Sequence, residues 1–195
     1  MWLRILPFLL AAAGVLFWHA GRPVSHAPGV LAPEAPRQEA TERTSFRHRG
    51  ADLTPVATFE MRARVLGKKR YRTGPGAGLL PYDLAVGWGP MSDTAVLERF
   101  SIRQGRRAYM WSTDAYPIPR RDVVRHSTNM HLIPATSGVE AALARVREGH
   151  VVRLRGRLVN VVAGDGSRWR TSTSRTDAGY GACEIVWVEA LEVEE

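Results

Sequence analysis

A strand, a turn signal and a returning strand constrain the fold of residues 151–175 more than any other sequence feature. Val151 to Val162 alternates as a strand does, and Asp165-Gly166 is typical of the two-residue turn of a β-hairpin. That turn pairs Val162 with Trp169. The pleat then gives an apolar face made of Leu154, Leu158, Val162 and Trp169. The opposite face collects four arginines, which are Arg153, Arg155, Arg157 and Arg170.

The chain from residue 55 onward adds further strands and few helices. Phe59 to Val65 alternates as a half-buried strand, and the apolar run Ile185 to Val188 indicates a central strand. The clearest helix is Gly138 to Arg147, because a capping box of Ser137 and Glu140 precedes apolar residues at helical spacing. We therefore expect an α+β fold: a small antiparallel, partly closed sheet with one or two short helices. An oligonucleotide/oligosaccharide-binding (OB)-like barrel is the closest architecture.

An uncharged apolar run, ILPFLLAAAGVLFW, occupies residues 5–18. Its length falls between that of the apolar h-region of a signal peptide and that of a full membrane span. Trp2 and Trp18 bracket the run as interfacial aromatics do, and the small-residue cleavage pattern is poor. We interpret residues 1–20 as an N-terminal membrane helix that anchors the chain, with a cleaved signal segment as the alternative. The domain is then expected on the inner membrane, facing the periplasm or the extracellular space.

Residues 21–54 contain Pro23, Pro28, Pro33 and Pro36 among alanines and mixed charges, without an apolar period. This composition is typical of a disordered linker. Residues 55–195 are predicted to form a single globular domain.

The charge of the chain favours anionic partners. There are 27 basic and 19 acidic residues, which give a formal net charge of +8, and Lys68 and Lys69 are the only lysines. This balance excludes an acidic tail protein. Because Cys183 is the single cysteine, an intramolecular disulfide and a zinc site built on cysteine pairs are also excluded.

Three local patterns carry a resemblance to a known family. They are Asn129-x-His131-Leu132-Ile133-Pro134, then Gly149-x-x-Val152-x-Leu154-x-Gly156-x-Leu158-Val159, and then Ser172-x-Ser174-Arg175-x-Asp177-x-Gly179-x-Gly181-Ala182-Cys183-Glu184. From about Phe59 onward the chain resembles a widespread bacterial family of exported or membrane-anchored proteins, departing from it at His150 and Tyr180. The resemblance implies an extracytoplasmic domain and no particular activity.

Cys183, His131 and Asp177 are the candidate catalytic residues. A cysteine nucleophile needs a histidine within hydrogen-bond reach and a third polar group that orients the histidine. The alternative is structural, because a lone cysteine that enters an apolar strand is usually a small buried hydrophobe. Zinc held by His126 and His131 with Asp122 or Asp177 has no recognised ligand spacing, so no metal and no cofactor is predicted.

Binding of an anionic ligand is the second candidate chemistry. The four arginines of the hairpin can contact phosphate, sulfate or carboxylate groups, and the same charges also keep a sheet from pairing with its neighbours. Ser172, Ser174, Arg175 and Asn129 are further candidates, since hydroxyl, amide and guanidinium groups hold polar ligands. Arg175 paired with Asp177 favours a structural role for this motif, and a binding site is the alternative.

We expect a membrane-tethered extracytoplasmic domain that binds an anionic lipid, a glycan or an envelope protein without catalysis. Nucleic acid is the least favoured partner, because the anchor places the domain outside the cytoplasm. A cysteine-dependent hydrolase or transferase that uses Cys183 and His131 is the alternative function, and a purely structural accessory subunit is the third.

Overall fold

The computed structural model describes residues 22–174 and 182–194, and strands dominate this part of the chain. In chain order the strands are β1 (Arg37–Ala40), β2 (Phe46–His48), β3 (Ala51–Arg70), β4 (Tyr82–Gly87), β5 (Ser101–Gly105), β6 (Ala108–Ser112), β7 (Ser127–Pro134), β8 (Val151–Val162), β9 (Arg168–Trp169) and β10 (Glu184–Glu194). The helices are a 3-10 turn (Gly89–Ser92), α1 (Thr94–Leu97), α2 (Arg120–Arg125) and α3 (Ser137–Arg145).

Five of these strands are bonded in a ring. The pairing runs β3–β4–β7–β10–β8, and β8 then pairs with β3 to close it. Every pair in the ring is antiparallel except β7 and β10, which run parallel. The predicted α+β fold with a partly closed sheet is thus confirmed, and the parallel pair is a departure from the expected all-antiparallel sheet.

Alternation along β3 and β8 fills the ring with apolar side chains. On β3, Phe59, Met61 and Ala63 are buried in the main core, as the sequence pattern predicts. On β8, Leu154 and Leu158 enter the same core. Burying these groups removes apolar surface from water at roughly 25 cal/mol per Å², which makes this core the main stabilising term.

The helix α3 covers one end of the ring. Val139 and Leu143 on its inward face, with Val146 just after it, join the core of the ring. Its N-cap is Thr136, whose hydroxyl accepts from the main-chain N–H of Val139 at 3.2 Å, rather than the predicted Ser137. The carboxylate of Glu140 contacts Arg49 at 2.7 Å instead of closing a capping box.

The described residues 22–54 differ from the expected linker. β1 pairs with β3 from Arg37↔Glu60 to Ala40↔Ala57, and β2 pairs with β3 through Phe46↔Leu53. Ala32 is fully buried. These segments lack an apolar period because they bind to the free edge of a long strand through main-chain hydrogen bonds, which require no particular side chains.

The hairpin of β8 and β9 has a register that differs from the predicted one. Val161, rather than Val162, lies opposite Trp169. The main-chain N–H of Ala163 donates to the carbonyl of Ser167 at 2.9 Å, so the connection is a three-residue loop that ends at Gly166 with φ +82°. A shift of one residue moves a side chain to the other face. Trp169 consequently packs in a second apolar cluster, whereas Val162 is 38% exposed.

The strands β5 and β6 form a separate hairpin that packs on the outer face of the ring. Ile102, Tyr109 and Trp111 contact a small apolar cluster to which Ala85 of β4 contributes. In the described part of the chain, no helix is long and apolar enough to cross a membrane. The expected membrane helix at residues 1–20 lies outside the described residues.

Candidate functional site

Three of the four predicted arginines share one exposed face. Arg153, Arg155 and Arg157 alternate along β8 with buried residues and point away from the core. Arg170 does not continue β9, and the observed register removes it from the predicted group because Trp169, its neighbour, lies on the face of Val161. Arg170 is exposed.

Acidic residues on neighbouring strands compensate this arginine face. Arg157 Nε lies 2.9 Å from Glu189 Oε1, and Arg153 NH2 lies 3.4 Å from Glu194 Oε1. Glu60 of β3 is the register partner of Arg155. The face therefore carries mixed charge instead of a single positive field.

A groove of about 320 Å³ lies at one end of this face, between the segment around β1 and the ring. Its basic side chains are Arg37, Arg62, Arg153 and Arg155, and its acidic ones are Glu34, Glu60 and Glu192. Arg62 also binds the carboxylate of Glu194 at 2.6 Å, which raises the pKa of Arg62 and lowers that of Glu194. Arg62 is thus committed to an internal partner.

A second group of polar side chains lies on the outer face of β4 and β7. Asp83 of β4 is the register partner of His131 of β7, and Ala85 is the partner of Asn129. The two side chains of the first pair touch, with His131 Nδ1 2.9 Å from Asp83 Oδ1. Asp83 is fully buried, and the His131 side chain is 16% exposed.

Cys183 reaches the same group from the segment that leads into β10. Its thiol donates to the main-chain carbonyl of Arg107 and accepts from the side-chain amide of Asn129, each at 3.8 Å. Cys183 is partly exposed. Its carbonyl accepts from the N–H of Ser172 at 3.1 Å, and this bond ties the end of the β9 segment to the cysteine.

The surroundings of His131 raise the pKa of its ring. Burial lowers its pKa, but hydrogen bonding to Asp83 and to Cys183 and the charge of Asp83 outweigh the burial and raise the pKa to about 9. His131 is therefore an imidazolium at neutral pH. Asp83 occupies Nδ1, so Nε2 is the other ring nitrogen of His131.

The β5–β6 hairpin supplies the remaining polar contacts of this site. Gln104 Nε2 donates to Asn129 Oδ1 at 2.7 Å, and the hydroxyls of Tyr109 and Ser127 are 2.8 Å apart. Arg107 NH1 donates to Asp83 Oδ1 at 3.0 Å. These bonds satisfy most of the polar groups that the hairpin buries against the ring.

The structure brings together Cys183, His131 and Asn129, which the sequence patterns selected. Ser172 is buried beside Cys183, and its hydroxyl accepts from the N–H of Ser174 at 3.0 Å. Arg175 and Asp177 lie outside the described residues. Within residues 22–174 and 182–194, no group of three His, Cys, Asp or Glu side chains is placed to hold a metal ion.

Sequence reasoning missed Asp83, which occupies the position beside His131 that was expected of Asp177. The signal is present in the sequence, because Asp83 interrupts the apolar run from Tyr82 to Val86. A carboxylate in the middle of a buried strand needs a charged or hydrogen-bonding partner. Arg107, which contacts Asp83 from a turn, had no sequence signal of its own.

We compared the chain with protein-family models, with curated proteins and with solved structures, and nothing in these three comparisons matches it. The site geometry therefore carries the functional argument.

Proposed function

We propose that the protein is a thiol-dependent hydrolase or transferase, with Cys183 as nucleophile, His131 as its acid–base partner and Asp83 as the residue that orients His131. The observation that carries the proposal is the cluster on the outer face of β4 and β7, where His131 Nδ1 lies 2.9 Å from the fully buried Asp83 and where Arg107 bonds both Asp83 and the Cys183 thiol. Nucleophile, base and orienting acid are the three roles that a cysteine-based catalytic site requires.

The proposed reaction is acyl transfer. The Cys183 thiolate attacks the carbonyl carbon of an ester, thioester or amide, so that a sulfur–carbon bond forms and the bond to the leaving group breaks. The proton on His131 passes to the leaving group. Water or a second nucleophile, deprotonated by the neutral His131, then attacks the acyl-cysteine and releases the thiolate. The thiolate, and not the thiol, is the nucleophilic form of a cysteine.

The ring order supports an OB-like barrel as the finer description of the fold. In such barrels the first ring strand pairs with both the second and the fourth, and ligands bind on the face of the second and third strands. Here β3 pairs with β4 and β8, and Asp83 and His131 lie on the outer faces of β4 and β7. The proposed catalytic site occupies the face that this architecture uses for ligands, which is an analogy of fold.

The test uses the full chain and p-nitrophenyl acetate. We expect a burst of about one p-nitrophenolate per chain, since one thiolate takes one acetyl group. The burst should disappear in C183S and fall at least about tenfold in H131N and D83N. The matched control is H126N, because His126 lies at the end of α2 and its Nδ1 contacts the carbonyl of Asp122. Acetylation that proceeds equally in wild type and H131N contradicts the proposal.

Anion binding by a membrane-tethered, extracytoplasmic domain is the second candidate function, and the groove beside Arg153 and Arg155 supports it. The ligand is an anionic lipid headgroup, a glycan or an acidic envelope protein. We expect R153Q/R155Q/R157Q to reduce co-sedimentation with phosphatidylglycerol vesicles or retention on heparin, and added salt to weaken both.

The matched control for the groove is R99Q/R121Q/R125Q, which removes the same charge from exposed positions in and beside α1 and α2. Equal losses in both triple variants would indicate a general charge effect. Binding that is unchanged in the groove variant and insensitive to salt contradicts a role for the groove.

A further inference from the structure

The turn between β5 and β6 has an unusual backbone for its sequence. Gly105 and Ala108 are the last paired residues, so Arg106 and Arg107 are the two turn residues. Both have positive φ, +52° and +62°. Two-residue hairpin turns of this kind favour Asn-Gly or Gly-Gly, because a Cβ atom in the left-handed region meets the following carbonyl. Two consecutive arginines here are strained.

The side chain of Arg107 explains why the turn is kept in this conformation. Its NH1 donates to the carbonyl of Leu80 at 2.7 Å and to Asp83 Oδ1 at 3.0 Å, and its NH2 donates to the carbonyl of Pro75 at 3.3 Å. The guanidinium carbon lies 3.8 Å from the centre of the Tyr71 ring. Several donors and a stacked face together fix the guanidinium plane.

The backbone of Arg107 contacts the other half of the proposed catalytic site. Its N–H donates to the Tyr71 hydroxyl at 3.1 Å, while its carbonyl accepts from the Cys183 thiol at 3.8 Å and from the Asn129 amide at 3.4 Å. One residue therefore contacts both the acid that orients His131 and the sulfur. Arg106, by contrast, is exposed.

We propose that Arg107 is a positioning residue for the thiol site, which holds the Asp83 carboxylate against His131 through its guanidinium and holds the Cys183 thiol through its carbonyl. This inference rests on the proposed catalytic role of Cys183. In the strained turn, with φ +62°, Arg107 directs its side chain to Asp83 and its carbonyl to the sulfur. Strain that is kept at a site by surrounding contacts commonly marks a functional constraint.

Arg107 and His131 share one oxygen of Asp83, and this makes the role measurable. The charged and titratable groups that face His131 in the described residues are Asp83 from β4, Cys183 from the start of β10 and Arg107 from the hairpin turn. Tyr71 adjoins Asp83 from the segment after β3. Loss of the Arg107 guanidinium frees the carboxylate to turn away from His131, which weakens the contact that raises the pKa of the ring.

The experiment follows the titration of the His131 ring by NMR in the full chain, together with the pH profile of Cys183 alkylation by iodoacetamide. We expect R107Q to move the His131 midpoint downward by about half a pH unit or more, because the Asp83 carboxylate is no longer held against the ring. R107K is expected to give a smaller shift, because one ammonium cannot reproduce the stacked, multidentate contact.

The matched control is R106G, which relieves strain in the same turn without removing the contacts of Arg107. Its His131 midpoint and its alkylation profile should equal those of the wild type, and its Tm should be unchanged or higher. If R107Q does not fold, the His131 midpoint of R107K is compared with that of the wild type instead.

A His131 midpoint that is unchanged or higher in the folded Arg107 variants overturns the inference, because Asp83 then stays on the ring without Arg107. This failure is distinct from that of the proposed function. A wild-type thiol without a p-nitrophenyl acetate burst contradicts catalysis by Cys183, whereas the His131 midpoint still reports whether Arg107 positions Asp83.

Discussion

His131 Nδ1 lies 2.9 Å from Oδ1 of the fully buried Asp83 on the neighbouring strand. The pKa of His131 in the folded protein, about 9, exceeds the ordinary value of 6.5. Between pH 6.5 and about 9, the His131 ring is therefore protonated in the folded chain and mostly deprotonated in the unfolded chain. Its contribution to stability is complete below pH 6.5 and is lost as the pH rises through about 9.

We therefore expect the free energy of unfolding to fall between about pH 6.5 and pH 9 by on the order of 3 kcal/mol, and D83N to remove most of that dependence. Urea unfolding at several pH values measures the slope. D122N, which changes an acid on α2, is the control and should keep the wild-type slope. A slope that is as steep in D83N as in the wild type contradicts the pairing.

Gly156 is required by a close approach of two strands. A Cβ at this position would overlap the carbonyl oxygen of Trp187 on β10. We expect G156A to lower the free energy of unfolding by about 2–4 kcal/mol, because the backbone must shift where β8 is paired on both sides.

The control for that substitution is G138A, in the first turn of α3. A Cβ at Gly138 meets only the Thr136 hydroxyl, at 3.6 Å. Alanine there should be neutral or stabilising by up to about 1 kcal/mol. Equal losses of unfolding free energy in the two variants would mean that the close approach of Trp187 does not require glycine at position 156. Thermal unfolding followed by circular dichroism is sufficient for this comparison.

Lys68 caps the C-terminal end of α3. Its ammonium donates to the carbonyls of Ala144 and Leu143 at 2.9 and 3.2 Å. The last carbonyls of a helix have no partner in the next turn, although that of Leu143 also accepts from the N–H of Val146 at 3.3 Å, and a cation complements the helix dipole there. K68M should therefore lower the free energy of unfolding by about 1 kcal/mol, whereas K69M, at the exposed neighbouring position, should change it by less than about 0.5 kcal/mol. Similar values for both variants would contradict the cap.

Trp169 and Val162 test the register of the β8–β9 hairpin. Trp169 packs in an apolar cluster with Leu53, Val159 and Val161, whereas Val162 is 38% exposed. We expect W169A to cost about 2 kcal/mol or more and V162A less than about 0.5 kcal/mol, both measured by urea unfolding. The register predicted from the sequence would make both substitutions costly, so a large loss in V162A would support that register.

The alternation of apolar residues was sufficient to predict the strands that build the ring. Phe59 to Val65 and Val151 to Val162 lie in β3 and β8 because a strand with one buried face must alternate. The alternation of apolar residues did not determine the register of the β8–β9 hairpin, since Asp165-Gly166 suits both a two-residue turn and the last part of a three-residue loop. Choosing between the two turns requires knowing on which face of its strand Trp169 is buried by the rest of the fold.

The site was only partly visible in the sequence. His131 and Cys183 stood out as chemically capable residues, but their separation along the chain gives no distance in space. Asp83 becomes the partner of His131 through the pairing of β4 with β7, and Arg107 reaches Asp83 through a turn whose backbone its own contacts hold. Such relationships arise from tertiary pairing and are absent from local periodicity.

Among the five ring strands, β10 comes last in chain order and is the one that follows Cys183. Asp83 and His131 lie on strands that are synthesised earlier, so the sulfur joins its partners only when β10 enters between β7 and β8. The contacts of the sulfur with Asn129 and Arg107 therefore form only once β10 is in place, so the reactivity that we propose for Cys183 would report on the closed ring.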